Sequence, residues 1–178
     1  MLISRKYWST DLLNNLPQIA NFLYFLLKGK REIMPFNGVY TMLSLDERIF
    51  LFKLAKDYSK KGDILEVGCY AGGSTYFLAK GASINNSKVF SIDPFKLSIK
   101  KQKYIGDNTS YLKNLKNKPS KEKVKENLLK QGVNKQSFRL IEGFSEEIAR
   151  SWKKRNISLL WIAGNHLEAY KDFEIWKN

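Results

Sequence analysis

The chain is poor in the residues that build metal clusters and disulfide frameworks. It has one cysteine, Cys69, and one histidine, His166, in 178 residues. A single thiol excludes an internal disulfide scaffold and, with no signal-peptide pattern at Met1-Leu2-Ile3-Ser4-Arg5-Lys6, is read as belonging to a reducing cytoplasm. Prolines number four, too few for an extended proline-rich linker. No apolar run reaches the ~20 residues that cross a bilayer. Acids are scarce as well: 17 against 31 lysines and arginines, a formal charge of +14. A hydrophobic fraction of 43% and an aromatic fraction of 13% are nevertheless those of a chain with a real core, which rules out wholesale disorder.

The positive charge is unevenly spread. From Lys96 to Lys135 there are twelve lysines, three acids (Asp107, Glu122, Glu126) and no arginine, a local excess of +9. Such a stretch attracts nucleic acid, an anionic membrane or an acidic substrate. Without arginine and interleaved aromatics it lacks the pattern of specific nucleic-acid recognition, and a solvated helical face is the simpler reading. Leu16 to Leu27 is an apolar helix with Pro17 in its first turn, made to pack on the domain or on a second subunit of an oligomer. Phe22, Tyr24 and Phe25 widen its apolar surface enough for peripheral membrane contact.

Residues 1–40 therefore read as an N-terminal helical segment and 41–178 as the main domain. Ser44-Leu45-Asp46-Glu47 is a capping box opening a helix to about Lys60, with Phe50, Leu51, Leu54, Ala55 and Tyr58 as its buried stripe. Beyond it strands and helices alternate. Strands are expected at Asp63 to Val67, Lys88 to Ile92, Phe138 to Ile141 and Ile157 to Ile162. Helices are expected at Gly73 to Lys80, closed by Gly81; at Lys121 to Gln131, with Val124, Leu128 and Leu129 inward and Gly132 as its stop; after Ser145 as cap; and at Leu167 to Lys177. Alternation of this kind specifies an α/β fold, a Rossmann-like parallel sheet with helices on both faces.

The chemistry concentrates where the first strand ends, at Ile64-Leu65-Glu66-Val67-Gly68-Cys69-Tyr70-Ala71-Gly72-Gly73-Ser74-Thr75. A strand running through glycines into a helix lets the backbone turn sharply, approach a ligand and point helical N–H groups at it. The spacing G-x-x-x-G differs from the G-x-G-x-x-G of dinucleotide sites and suits a ligand with a carboxylate and no phosphate. Asp93 follows Gly72 by twenty-one residues, at the end of the next strand, where a carboxylate accepts both hydroxyls of a ribose; a plain Asp-Pro turn is the competing reading.

These residues resemble the class I S-adenosylmethionine-dependent methyltransferases. Glu66-x-Gly68-x-x-x-Gly72 is similar to their first motif and Ser91-Ile92-Asp93-Pro94 to their second. Leu160-Trp161-Ile162-Ala163-Gly164-Asn165-His166, followed by Tyr170 and Asp172-Phe173, resembles the branch whose fourth strand ends I-D-G-D-H. The resemblance covers roughly Gly38 to Trp176. It implies S-adenosylmethionine as cofactor, with Gly68 and Gly72 along its methionine part and Ser74 among the residues that bind it. Glu66 would hold its amino group, Asp93 its ribose, and Phe144 and Ser145 would flank its adenine. It implies methyl transfer to an oxygen or nitrogen of a small-molecule acceptor.

The departures are specific. Phe144 stands where relatives carry an acid, and Ala163 and Asn165 replace both fourth-strand aspartates. Without those charges no metal is expected, and His166 is the remaining candidate base, or else a structural residue capping the last helix. Four strands are readable where the family sheet has seven, which points to a truncated chain or to a sheet completed by a partner. A catalytically inactive module that binds cofactor or other proteins is the alternative to an enzyme. The lysine stretch carries its own expectation: duplex DNA should bind weakly, with an affinity that falls steeply with salt. Fluorescence anisotropy against ionic strength measures this, and tight sequence-selective binding at physiological salt would contradict it.

Overall fold

The computed structural model describes residues 41–95, 118–153, 155–164 and 168–177. The apolar segment Leu16 to Leu27, the lysines from Lys96 to Lys116, Asn165 and His166 lie outside them. Among the described residues, four parallel strands form one sheet: β1 (Asp63–Val67), β2 (Val89–Asp93), β3 (Phe138–Glu142) and β4 (Ile157–Ile162), in the order β3-β2-β1-β4. The expected Rossmann-like α/β architecture is present, and each strand lies within a residue of its expected bounds.

Helices cover both faces because the strands carry apolar side chains on both. On one face Ile64, Val89 and Phe138 pack under α1 (Leu45–Tyr58), α2 (Gly73–Ser83) and α3 (Lys121–Lys130), which contribute Leu51, Phe52, Phe77, Leu78, Val124 and Leu128. On the other, Leu65, Phe90 and Ile92 meet Ile148 of α4 (Ser145–Arg150), Trp152, and Trp176 of α5 (Ala169–Trp176). Trp152 stands edge-on to both Phe90 and Trp176, with ring centroids 5.5 and 5.3 Å apart.

Local rules explain most helix boundaries. Ser44 closes a complete capping box with Glu47 at the start of α1. Ser120 caps α3 by accepting from Lys123 N at 3.2 Å, and Gly132, at φ 72°, ends it. Four expectations are corrected. Helix α2 runs through Gly81 to Ser83, because Gly81 is where α1 crosses it: a Cβ there would lie 2.5 Å from the Phe52 carbonyl oxygen and 2.7 Å from Ala55 Cβ. The chain turns away only at Asn86, in the left-handed region at φ 57°. Ser145 does not cap α4; it is the first helical residue, and its hydroxyl accepts from Trp176 Nε1 at 2.8 Å, which ties α4 to α5. In α1, Ile49 and Phe52 are buried while Phe50 and Tyr58 face outward, since the helix is rotated toward the α2 crossing. Leu129 lies on the outer side of α3, where Val124 and Leu128 alone reach the core.

The crossing at Gly81 sets two effects against each other. Gly81→Ala removes a residue about 1 kcal/mol worse than alanine within a helix. It also drives a methyl into backbone atoms that cannot rotate aside, and such overpacking costs roughly 1–3 kcal/mol or more. A net loss of about 1–2 kcal/mol is expected in urea unfolding. A gain would show that α1 and α2 separate freely.

Candidate functional site

The strand order reverses direction between β1 and β4. In open parallel sheets the crevice beyond the carboxyl ends of the strands at such a reversal is where ligands bind. Two glycines meet there. Gly68 continues β1, donating to the Ile92 carbonyl at 2.8 Å, and Ala163 continues β4, donating to the Val67 carbonyl at 2.8 Å. Gly68 has φ 86°, and a Cβ on it would sit 2.4 Å from Gly164 Cα. The close approach that requires glycine is thus made by the β4 chain itself. Gly72, at φ 87°, is likewise roofed by protein: a Cβ would lie 2.9 Å from Val124 Cγ1 of α3.

Gly72 precedes α2 without a side-chain cap. The first-turn N–H groups of Gly73, Ser74 and Thr75 therefore have no carbonyl within the helix to bond, and carry the positive end of its dipole. Beneath them lies Glu66, fully buried in β1. One of its oxygens accepts from the Ser74 hydroxyl, the other from Thr75 Oγ1 at 2.5 Å. Burial pushes the Glu66 carboxyl above its ordinary pKa, the Ser74 and Thr75 hydroxyls that bond it pull it back, and nearby Asp93 raises it further. The arrangement fastens the start of α2 to β1. Thr75 was not among the residues singled out by sequence; a hydroxyl pair eight and nine positions after a strand glutamate was the available signal. Cys69 is buried, and desolvation raises its thiol well above the usual range, so it is no nucleophile.

Asp93 ends β2 with its side chain fully buried. Its Oδ2 accepts from Tyr70 N at 2.9 Å and its Oδ1 from Phe95 N at 2.7 Å. Lys118 bridges both oxygens, at 3.1 and 3.3 Å. Tyr70 and Phe95 both stand in the left-handed region, at φ 48° and 49°, held there by these bonds. The Asp93 carbonyl accepts from Gly143 N at 3.1 Å, which fixes the turn that leads from β3 into Phe144 and Ser145. The structure thus gathers Glu66, Gly68, Gly72, Ser74, Asp93, Phe144 and Ser145 along the carboxyl ends of β1, β2 and β3. Among the described residues no group of three or more His, Cys, Asp or Glu has the geometry of a metal centre, and no helix is long and apolar enough to cross a membrane.

A family model described as a methyltransferase domain matches residues 65–178. No curated protein matches the sequence. Among solved structures, the chain is similar to the O-methyltransferase NovP (17% identity, TM-score 0.61, covering 77% of this chain and 61% of that one). It is also similar to cofactor-bound Rv0187 from MTB (17%, 0.55, 96% and 63%). A third is the O-methyltransferase from Bacillus cereus in complex with SAH (18%, 0.54, 81% and 57%). These likenesses are of fold, and the chain spans about three-fifths of the length of those structures.

The buried carboxylate makes a prediction about pH. Because its pKa is raised on folding, Glu66 holds a proton more tightly in the folded chain than in the unfolded one. Its contribution to stability is most favourable below the ordinary carboxylate range and is lost as pH rises through the folded pKa. Glu66→Gln removes that ionisation. The melting temperature of the variant relative to the parent should therefore climb as pH rises above the ordinary carboxylate range. A difference that stays flat with pH would show that Glu66 ionises no less readily in the fold than in a free chain.

Proposed function

Because this chain belongs to the methyltransferase domain family, we propose that it binds S-adenosylmethionine and transfers its methyl group to an oxygen or nitrogen of a small-molecule acceptor. The observation that carries this reading is the placement of Asp93 at the end of β2. Its carboxylate is held by two backbone amides beside an uncapped helix start and a glycine turn. The cofactor-bound and SAH-bound structures similar in fold support it.

Each residue has a role set by its surroundings. The free N–H groups of Gly73 to Thr75 suit the carboxylate of the methionine part. Ser74 donates its hydroxyl hydrogen bond to Glu66 and so turns its oxygen lone pairs outward, toward an ammonium. Glu66 thereby acts on the amino group through Ser74. Asp93 receives the ribose hydroxyls, and the half-buried Phe144 offers a ring to the adenine, with Ser145 behind it held by Trp176. Gly68 and Gly72 let the chain turn sharply where β4 and α3 press against it. When bound, S-adenosylmethionine supplies an electrophilic methyl on a sulfonium. The protein's part is then to align the acceptor in line and exclude water, effects worth ~7–11 kcal/mol in well-oriented reactions. Ala163, at the end of β4, brings no ligand for a hard cation, so the transfer is proposed to need no magnesium, with His166 as the base. A module that holds the cofactor without turnover is the second reading, favoured by that same alanine.

Isothermal calorimetry with S-adenosylhomocysteine on the 178-residue chain tests the binding. Asp93→Asn is the informative variant, since Gly68→Val would clash with the Gly164 backbone and damage the fold itself. Loss of charge-assisted bonds to the ribose should weaken binding roughly tenfold or more. Binding of NAD in place of S-adenosylhomocysteine would refute the assignment. Methyl transfer unaffected by magnesium and abolished in His166→Ala supports the enzyme, and binding without transfer supports the module. Turnover that depends on magnesium would defeat the metal-free reading.

A further inference from the structure

Lys118 stands immediately before α3, two residues ahead of the Ser120 cap, and α3 is anchored by Val124 and Leu128, both fully buried. Its side chain is only 15% exposed, its ammonium bridges both oxygens of Asp93, and it lies 6.0 Å from the centre of the Tyr70 ring. A carboxylate has about four acceptor positions, two on each oxygen. On Asp93 one position of Oδ2 goes to Tyr70 N and one of Oδ1 to Phe95 N. The position left on each oxygen is the one that Lys118 uses. A vicinal diol needs the same pair, one acceptor per oxygen.

We infer that Lys118 competes with the ribose diol for Asp93 and so sets how tightly this chain holds a nucleoside ligand. The inference rests on the proposed reading of Asp93 as the ribose acceptor. The lysine also serves the fold, because it neutralises a buried charge that, among the described residues, would otherwise be met by two backbone amides. A ligand must therefore turn the ammonium aside before its hydroxyls reach the carboxylate, and the energy of the ion pair is subtracted from its affinity. Nothing in the sequence marks Lys118 among the twelve lysines of its stretch.

Calorimetry on the full chain with S-adenosylhomocysteine, and with its 2′,3′-dideoxy analogue, tests this. Lys118→Met keeps the length of the side chain and removes the charge. It should tighten S-adenosylhomocysteine binding roughly three- to tenfold and leave the dideoxy analogue unchanged. Lys118→Gln, which keeps a neutral donor, should give a smaller gain. Thermal melts keep folding apart from binding: the Met variant should melt lower alone, yet gain more from the ligand. Equal or weaker binding by folded Lys118→Met, or a gain shared by the dideoxy analogue, overturns this inference alone. Failure of S-adenosylhomocysteine to bind parent and variants alike overturns the cofactor reading and this inference with it.

Discussion

The Asp93 carboxylate is the point on which the site depends. A fully buried charge must be met by donors on every side, and the donors here come from separate parts of the chain: Tyr70 from the glycine turn, Phe95 from the exit of β2, and Lys118 from the approach to α3. Its backbone carbonyl holds Gly143 as well, fixing the turn after β3. One residue thus sets the relative positions of three loops at the carboxyl end of the sheet. The left-handed conformations of Tyr70 and Phe95, each unfavourable alone, persist because they aim amides at this charge.

Glu66 performs the neighbouring task one strand over. It is buried without a basic partner among the described residues, and the Ser74 and Thr75 hydroxyls satisfy its oxygens. Asp93 and Glu66 therefore differ in chemistry although both are buried acids at strand ends. One is paired with an ammonium; the other has its pKa raised by desolvation and serves to hold the start of α2. The division leaves the Asp93 side of the crevice to charge and the Glu66 side to a helix dipole and hydroxyls.

The packing around these acids is tight for a geometric reason. Sharp turns at Gly68 and Gly72 bring β1 against β4 and α2 against α3, leaving no room for a Cβ at either position. Gly81 does the same between α1 and α2. All three are places where backbone or core side chains of another element occupy the space a side chain would fill. The apolar layers on the two faces of the sheet hold these contacts in register.

Much of this was written in the chain. Alternating apolar runs and turn residues specified four strands within a residue of their observed bounds, because a strand buried on both faces must be continuously apolar. The capping box at Ser44 and the stop at Gly132 were legible because capping is a local hydrogen-bond problem. The glycine turn and Asp93 were legible from spacing, as one βαβ unit has a fixed length. What sequence could not decide were choices made across the fold. Gly81 continues a helix because α1 crosses it there, and Ser145 serves Trp176 rather than capping its own helix. Leu129 faces outward while Leu128 faces in, by the rotation of α3 on the sheet. Above all, Lys118 reaches Asp93 through the docking of α3 over the glycine turn, since side-chain partners across distant segments follow from tertiary packing and not from local pattern.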